Sequence, residues 1–275
     1  MKPYLRTKDY SVTGERFELV YDPNFKMLST QPQPQDLNRY YESQSYISHT
    51  DANKTLIDKL YQRVKKYSLM KKVGLISKYC SGEKTLLDVG AGTGDFLLKA
   101  KKSGWDVQGV EPNRDARLLA EGKGIGLSTS LHSLPNRKYA VITLWHVLEH
   151  LPNLEKQIEN LVSRLTDKGT LVIAVPNYKS YDAGHYGPYW AAFDVPRHLW
   201  HFSKESIQCL FAIYGMKVIK VKPMIFDSFY VSLLSEKYKT GRQNYFKAFA
   251  IGLWSNLKAV GSKEYSSHIY ILRRA

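Results

Sequence analysis

From residue 84 onward, short apolar runs alternate along the chain with amphipathic segments. Runs rich in Val, Ile and Leu predict buried parallel strands, at 84–89, 106–111, 139–145 and 169–175. Between these runs the apolar spacing predicts helices over 94–103, 113–122 and 153–166. Repeated strand–helix units predict an α/β fold in which a mostly parallel sheet is covered by helices on both faces.

The sequence on either side of this core follows other patterns. Alternation in residues 1–30 predicts a β-hairpin, and the two prolines of 31–34 indicate a linker. Later segments predict strands at 216–221 and 266–272, and helices at 35–43, 53–79, 203–214, 225–238 and 243–259. We therefore expect an appendage (1–34), N-terminal lid helices (35–80), a core (81–224) and C-terminal helices with a last strand (225–275).

A glycine-rich turn follows the first core strand. Asp88 ends that strand, and Gly90, Gly92 and Gly94 alternate before the next helix, which predicts a tight turn with exposed backbone. The next strand ends in Glu111, a position where a carboxylate can bind a ribose diol. The spacing is G-x-G-x-G, whereas nicotinamide-binding units have G-x-G-x-x-G. A dinucleotide site and a purely structural turn are the alternatives to a nucleoside site.

Chemically versatile residues follow the next two core strands. Trp145-His146-Val147-Leu148-Glu149-His150 comes after the third strand, and Pro176-Asn177-Tyr178 comes after the fourth. The aromatic and polar segment 178–202 then predicts a long loop, and loops of that length are usually functional. Ligands of open α/β sheets bind at the carboxyl ends of strands, so these segments are the candidate site.

Taken together, the motifs resemble those of class I S-adenosylmethionine (SAM)-dependent methyltransferases. H-V-L-E-H-L, V-P-N and D-x-P-R-H-L-x-x-F are similar to the bacterial type 23/type 12 subgroup, which is related to ubiquinone-biosynthesis O-methyltransferases. The resemblance covers about residues 36–222. It implies a Rossmann-like sandwich with a mostly parallel seven-stranded sheet and a small N-terminal β appendage. Residues 1–30 resemble the family's zinc ribbon without its cysteines, so we expect a metal-free remnant and no metal site.

The resemblance also implies a set of SAM-binding residues. Asp88, Gly90, Ala91, Gly92 and Gly94 would line the methionine and ribose, and Glu111 would accept hydrogen bonds from the ribose hydroxyls. The remaining implied contacts are Pro112, Asn113, Ser130 and Leu131 at the adenine, Trp145 and His146 at the sulfonium, and Tyr46 and His49 on the lid. S-adenosylhomocysteine (SAH) would be the product.

Transfer to a hydroxyl requires a base, and histidine suits neutral pH. We predict His198 in this role, or failing that His150 or His146. An ordinary helix-start role is the alternative for Glu149 and His150, and loop anchoring is the alternative for Arg197 and His198. A metal site is a further alternative for His185, Asp194, His198 and His201. The predicted substrate contacts are Asn177, Tyr178, Trp190, Asp194 and Arg197.

Composition indicates the class of protein and its cellular compartment. The chain has 275 residues, 43% of them hydrophobic and 24% charged, as in soluble globular proteins. No apolar run is long enough to span a bilayer, and the start lacks the apolar core of a signal peptide, so we expect a cytoplasmic, bacterial protein. Cys80 and Cys209 are the only cysteines, which excludes a disulfide scaffold.

The net charge of +15 is compatible with an anionic partner but does not identify one. Lysines and arginines are scattered, which favours a solvated basic surface over a nucleic-acid tract. We therefore predict methyl transfer to a small-molecule or carrier-linked acceptor, at oxygen. An RNA-directed methyltransferase and a non-catalytic SAM-binding module are the alternatives, and the sequence identifies neither the acceptor nor the oligomeric state.

Overall fold

A computed structural model of the protein describes residues 3–41 and 56–275. The strands found in these residues are β1 (Leu5–Lys8), β2 (Arg16–Asp22), β3 (Met27–Gln31), β4 (Thr85–Val89), β5 (Asp106–Val110), β6 (Tyr139–Trp145), β7 (Leu165–Pro176), β8 (Trp200–His201), β9 (Met216–Pro223) and β10 (Ser267–Arg274). The α-helices are α1 (Leu56–Tyr79), α2 (Asp95–Lys101), α3 (Arg114–Glu121), α4 (Leu154–Ser163), α5 (Tyr181–Tyr186), α6 (Lys204–Ala212), α7 (Asp227–Thr240) and α8 (Tyr245–Ser262). None of these helices has the length and apolar character needed to cross a membrane.

The larger sheet has the strand order β5-β4-β6-β7-β10-β9. All five residues of β4 are buried, and the strand pairs in parallel with β5 on one side and β6 on the other. Leu86 lies opposite Val107 in one neighbour and Val141 in the other. A continuous apolar run is what a strand covered on both faces requires, so the α/β prediction for this region is confirmed.

In the described part of the chain this sheet has six strands, whereas the resemblance implied seven. Beyond β5 there is a single parallel bridge, from Val110 to Ser128. The segment before Ser128 contains Gly122, Gly124 and Gly126. Glycine weakens a strand because it loses much backbone entropy and has no side chain to pack, which explains why pairing stops at one bridge.

The N-terminal residues form more than the predicted hairpin. Strands β1, β2 and β3 pair antiparallel in sequence, and β8 joins at the far edge to make a four-stranded sheet. Leu19 is fully buried and lies opposite both Leu5 and Thr30. The relation of this sheet to a zinc ribbon stays a prediction, as does the four-part division of the chain.

Segment 178–202 is not the open loop that its length suggested. It contains α5, two 3₁₀ turns (Gly187–Tyr189 and Ala191–Phe193) and β8. The carboxylate of Asp182 is buried at its centre and accepts hydrogen bonds from the Trp190 indole (2.8 Å) and the hydroxyls of Ser255 and Ser266 (2.7 Å each). Four aromatic side chains of this segment, Tyr178, Tyr186, Trp190 and Phe193, belong to a hydrophobic core.

Two compact units are distinguished by the chain's internal contacts. The first comprises Met1–Ser43, His146–Gln157 and Ile173–Ile271, and the second comprises Gln44–Trp145, Ile158–Val172 and Leu272–Ala275. The helix expected over 35–43 is a 3₁₀ turn at Asn38–Tyr40 in its described part. The helix expected over 53–79 is observed as α1, with 53–55 outside the described residues.

A buried guanidinium organises the first unit. Arg197 donates to Asp194 (3.0 and 2.7 Å), Asp9 (2.9 Å) and the carbonyl of Tyr40 (2.9 Å), and it also bonds to Ser11. Burial alone raises the pKa of Asp9, but the hydrogen bond and charge of Arg197 outweigh it and hold that pKa well below its usual range. Two carboxylates thus depend on one buried cation.

Replacing this cation should destabilise the protein strongly. We expect Arg197→Met to lower the free energy of unfolding by about 3–5 kcal/mol, because two carboxylates lose their buried partner. The control is Arg6→Met, which breaks the exposed Arg6–Glu18 pair and should cost ~0–1 kcal/mol. Urea unfolding measures both, and equal effects of the two substitutions would contradict the assignment.

Candidate functional site

The turn between β4 and α2 has the backbone that its glycines predicted. Gly90, Gly92 and Gly94 have φ values of 71°, 53° and 74°, in the left-handed region that glycine favours. Gly94 precedes α2 directly, and a Cβ there would lie 3.0 Å from the Cβ of Ala120. Both conformation and space therefore require glycine at this position.

Glu111 contacts this turn. Its Oε2 accepts a hydrogen bond from the Gly92 amide (2.8 Å), and its Oε1 accepts one from the Asn113 amide (2.9 Å). Asn113 in turn caps α3 by accepting from the Ala116 amide (2.9 Å), and the Pro112 carbonyl accepts from Arg117 (2.7 Å). A carboxylate has about four acceptor sites, so Glu111 can still accept hydrogen bonds from two hydroxyls.

Two lysines fix the start of α2. Asp95 pairs with Lys65 of α1 (2.7 Å) and with Lys123 after α3 (2.6 Å). Lys123 also donates to the carbonyl of Thr93 inside the turn (3.0 Å). Neither lysine was identified from the sequence, because nothing in the local pattern links them to Asp95.

Asp88 is buried beneath the turn. It accepts a hydrogen bond from the Thr143 hydroxyl (2.6 Å) and so joins β4 to β6. Burial raises the pKa of Asp88 to about 7, although the Thr143 hydrogen bond and the charge of Lys72 act in the opposite direction. Its side chain therefore has a structural contact in addition to the cofactor role implied by the resemblance.

Trp145 contacts the first turn of α2. Its ring packs edge-on against Phe96, with centroids 5.6 Å apart, and the Lys72 Nζ lies 4.2 Å from the ring centroid. The indole nitrogen is buried and has no hydrogen-bond partner among the described residues. An orphaned donor of this kind is suited to bind a ligand.

Two of the expected adenine contacts, Ser130 and Leu131, follow Ser128 in the sequence. The amide of Glu111 donates to the Ser128 carbonyl (2.9 Å), which holds this segment beside the end of β5. Ser130 caps a 3₁₀ turn and Leu131 is buried. Sequence reasoning missed Ser128, since one bridge residue gives no strand pattern. Tyr46 and His49 lie outside the described residues.

The first unit holds a cluster of histidines. His146 has a φ of 57°, and its ring nitrogens lie 3.1 Å from Asp227 Oδ2 and 3.4 Å from Glu149 Oε1. Burial lowers the pKa of His146, but the two carboxylates outweigh it and raise this pKa to about 10. These two contacts favour the protonated form of His146 at neutral pH, and its role as a base stays a prediction.

His150 and His198 form a perpendicular pair with ring centroids 4.5 Å apart. His150 Nδ1 lies 3.0 Å from the Arg197 carbonyl, and His198 Nδ1 lies 2.9 Å from the Ala192 carbonyl. Because a carbonyl only accepts, Nδ1 carries the proton in the neutral form of each ring, and Nε2 then keeps the lone pair. Burial, with the nearby His198 charge, lowers the pKa of His150 to about 4, so this ring is neutral at pH 7.

Glu149 lies with this pair. It is almost completely buried, and apart from the 3.4 Å ion-pair contact of its Oε1 with His146 Nδ1, neither carboxylate oxygen has a hydrogen-bond partner in the described residues. One potential ligand atom from each of Glu149, His150 and His198 lies within 4.8 Å of the others, a donor set suited to a divalent cation. The absence of a metal from the enzyme thus stays a prediction.

The five predicted substrate contacts are engaged within the fold. Asp194 and Arg197 bind each other in the buried network, which favours the loop-anchoring interpretation of Arg197. Trp190 donates to Asp182, and the Tyr178 hydroxyl donates to the Lys26 carbonyl (3.1 Å). Asn177 donates to Glu264 (2.8 Å) and the Tyr265 carbonyl (3.0 Å). These polar groups thus have structural partners within the fold, and their roles as substrate contacts stay predictions.

Comparison with known proteins decides the family. The family described as "Methyltransferase domain", type 23, matches residues 61–221, which is more than half of the chain. The chain belongs to this methyltransferase family. It is a SAM-dependent methyltransferase, and the resemblance inferred from the motifs is confirmed.

Individual relatives share a quarter or less of their aligned residues with this chain. A ubiquinone biosynthesis O-methyltransferase from Rickettsia canadensis (strain McKiel) is 25% identical over 156 residues, which make up 52% of this chain. The match spans 66%, just under two thirds, of that relative's length. Magnesium protoporphyrin IX methyltransferase from Synechocystis PCC 6803, with bound SAH, superposes with a TM-score of 0.56 at 14% identity, covering 86% of this chain and 97% of that one.

A second solved structure supports the same fold. The cyclopropane synthase MmaA2 from Mycobacterium tuberculosis superposes with a TM-score of 0.51 at 12% identity, covering 74% of this chain and 83% of that one. Similarity at these identities concerns the fold, so the Rossmann-like class I methyltransferase fold is confirmed. The turn, Glu111 and Trp145 fit the cofactor SAM in chemistry: a backbone without side chains at three glycines, a carboxylate that can still accept from hydroxyls, and an indole N–H without a partner among the described residues.

The charge state of His146 can be measured. The folded protein binds this proton more tightly than the unfolded chain, so the ion pairs contribute fully below pH 6.5, and their contribution is lost as the pH rises toward about 10. We expect His146→Gln to be most destabilising near pH 6 and progressively less so toward pH 10. Denaturant unfolding across this range is the measurement, and a His146 NMR signal that titrates near pH 6.5 would refute the assignment.

Proposed function

We propose that this enzyme transfers the methyl group of SAM to an oxygen of a small-molecule or carrier-linked acceptor. The observation that carries the choice of oxygen is the His150–His198 pair, in which each Nδ1 is held by a backbone carbonyl and each Nε2 is free to accept a proton. The name of the Rickettsia relative, an O-methyltransferase, supports the same choice.

We assign SAM binding to the turn and its neighbours. Bound SAM supplies a methyl group already activated on a sulfonium, so the protein mainly aligns the reactants and excludes water. Glu111 holds the ribose hydroxyls, the backbone of the glycine turn, which carries no side chains at three positions, lies against the methionine and ribose, and Trp145 donates its N–H. Asp88, Gly90, Ala91, Gly92, Gly94, Pro112, Asn113, Ser130 and Leu131 complete the proposed cofactor set.

The proton of the acceptor hydroxyl goes to His198, with His150 as the second candidate. His198 is oriented by the Ala192 carbonyl, and the buried Glu149 carboxylate beside the pair stabilises the imidazolium that forms. His146 has no free lone pair when both carboxylates hold it protonated, so it ranks after the other two histidines as a candidate base. The free thiols Cys80 and Cys209 suit a reducing cytoplasm, the compartment we propose.

The ribose assignment is tested with Glu111→Gln. A neutral amide loses the charge-assisted hydrogen bonds to the diol, so SAH should bind about 10–100-fold more weakly. Glu121→Gln, an exposed residue of α3 with the same chemical change, is the matched control and should bind SAH normally. Isothermal titration calorimetry measures both, and an unchanged affinity for Glu111→Gln would refute the assignment.

The base is tested with methyl-labelled SAM and a fractionated bacterial extract as the acceptor source. We expect His198→Gln to reduce labelling by about 100-fold or more while SAH binding stays intact, because only the proton transfer is lost. His132→Gln, an exposed histidine outside the cluster, is the control. Full labelling by both His198→Gln and His150→Gln would contradict the mechanism, and a label removed by ribonuclease would favour an RNA acceptor.

A further inference from the structure

Helix α8 packs with its small residues inward. Its buried positions are Ala248, Gly252, Ser255 and Ala259, spaced four, three and four residues apart on one face. A Cβ at Gly252 would lie 2.9 Å from the ring of Phe229, so α8 approaches α7 closely. Such close packing requires small residues on the buried side of α8, so the large apolar side chains of this helix lie on its other sides.

The large side chains face outward. At about 100° per residue, positions 246, 249, 253, 257 and 260 fall within one stripe about 80° wide, whose centre is about 130° from that of the buried face. These five positions, which we name the α8 face, are Phe246, Phe249, Leu253, Leu257 and Val260, and all are exposed. Phe246 is 92% exposed. A helix whose large apolar residues point away from its own core indicates an apolar surface outside the protein.

Aromatic residues extend the α8 face. Phe229 of α7 stacks on Phe249, with ring centroids 5.2 Å apart. Ile225, Phe226 and Tyr230 are exposed, and the Ile225 carbonyl accepts from Asn256 of α8 (2.9 Å), which places the start of α7 alongside. Trp254 is half exposed beside the stripe, with the Lys258 Nζ 5.2 Å from its ring centroid. Aromatic rings next to lysines are characteristic of helices at a membrane–water interface.

Between Glu236 and Glu264 the charged residues of the chain are all basic. Residues 237–263 contain no Asp or Glu and six basic residues: Lys237, Lys239, Arg242, Lys247, Lys258 and Lys263. Lys247 pairs with the buried Glu236 (3.1 Å). An anionic surface complements the charge of the other five basic residues, whereas a second copy of this chain would bring two like-charged segments together.

We propose that the α8 face docks this enzyme on an anionic lipid bilayer. The helix lies in the plane of the interface, with its apolar stripe among the acyl chains and its lysines at the lipid phosphates. Apolar burial provides the attachment, and the basic residues select negatively charged membranes. Docking would give the enzyme access to acceptors carried in a membrane.

The test is co-sedimentation of the full-length protein with vesicles of phosphatidylcholine, with and without phosphatidylglycerol. We expect binding to the anionic vesicles only, weakened by salt. Phe246→Ser/Leu257→Ser should bind about tenfold or more weakly, because two large side chains no longer enter the lipid. Lys258→Glu should weaken binding on the order of tenfold through charge reversal.

Matched controls lie away from α8. Ile213→Ser removes an exposed apolar residue after α6, Lys168→Glu makes the same charge change elsewhere, and both should sediment like the natural protein. Circular dichroism and the unfolding midpoint verify that each variant folds. In addition, brominated lipids should quench tryptophan fluorescence, and Trp254→Phe should remove that quenching.

Two results would overturn the proposal. One is an absence of sedimentation with every vesicle, or sedimentation unaffected by the α8 substitutions. The other is a dimer in sedimentation velocity that does not bind vesicles and that Phe246→Ser/Leu257→Ser converts to a monomer, which would identify a second copy as the partner.

Discussion

The turn between β4 and α2 is the constraint on which the function of this protein depends. Three alternate residues must adopt positive φ while the chain reverses from a fully buried strand into a helix, and only glycine does so without strain. The same requirement leaves three positions of the turn without side chains, where a ligand can approach the main chain closely, and the Gly92 amide binds the Glu111 carboxylate. The glycines that the fold requires are thus the residues that we propose for cofactor binding.

The first unit depends on buried charge. Arg197 satisfies Asp9, Asp194 and a backbone carbonyl at once, while His146 is held between Asp227 and Glu149. Such groups are costly to bury alone, so each holds its neighbours in one arrangement. The carbonyl of Arg197 also orients His150, which links the structural network to the proposed base. Order in the histidine pair is therefore a consequence of the ion pairs around it.

Much of the core could be predicted because its signals are local. The β4 run, the glycine turn and Glu111 lie within 27 residues, and each follows from periodicity or a motif. The partner of Arg197, Asp9, is 188 residues away, and no pattern connects them. Aromatic and polar residues in 178–202 fit a binding loop and a packed core equally well until Asp182 is seen to pair with Trp190. Likewise, the spacing of apolar residues predicted a helix at α8 but did not show which face of that helix is exposed to solvent.

The central claim is that the turn and Glu111 form a binding site for a sulfonium nucleoside. Isothermal titration calorimetry of the purified full-length chain with SAH, and in parallel with a nicotinamide dinucleotide, tests it most directly. The account predicts saturable heat with SAH at one site per chain and none with the dinucleotide. Saturable heat with the dinucleotide alone would contradict it.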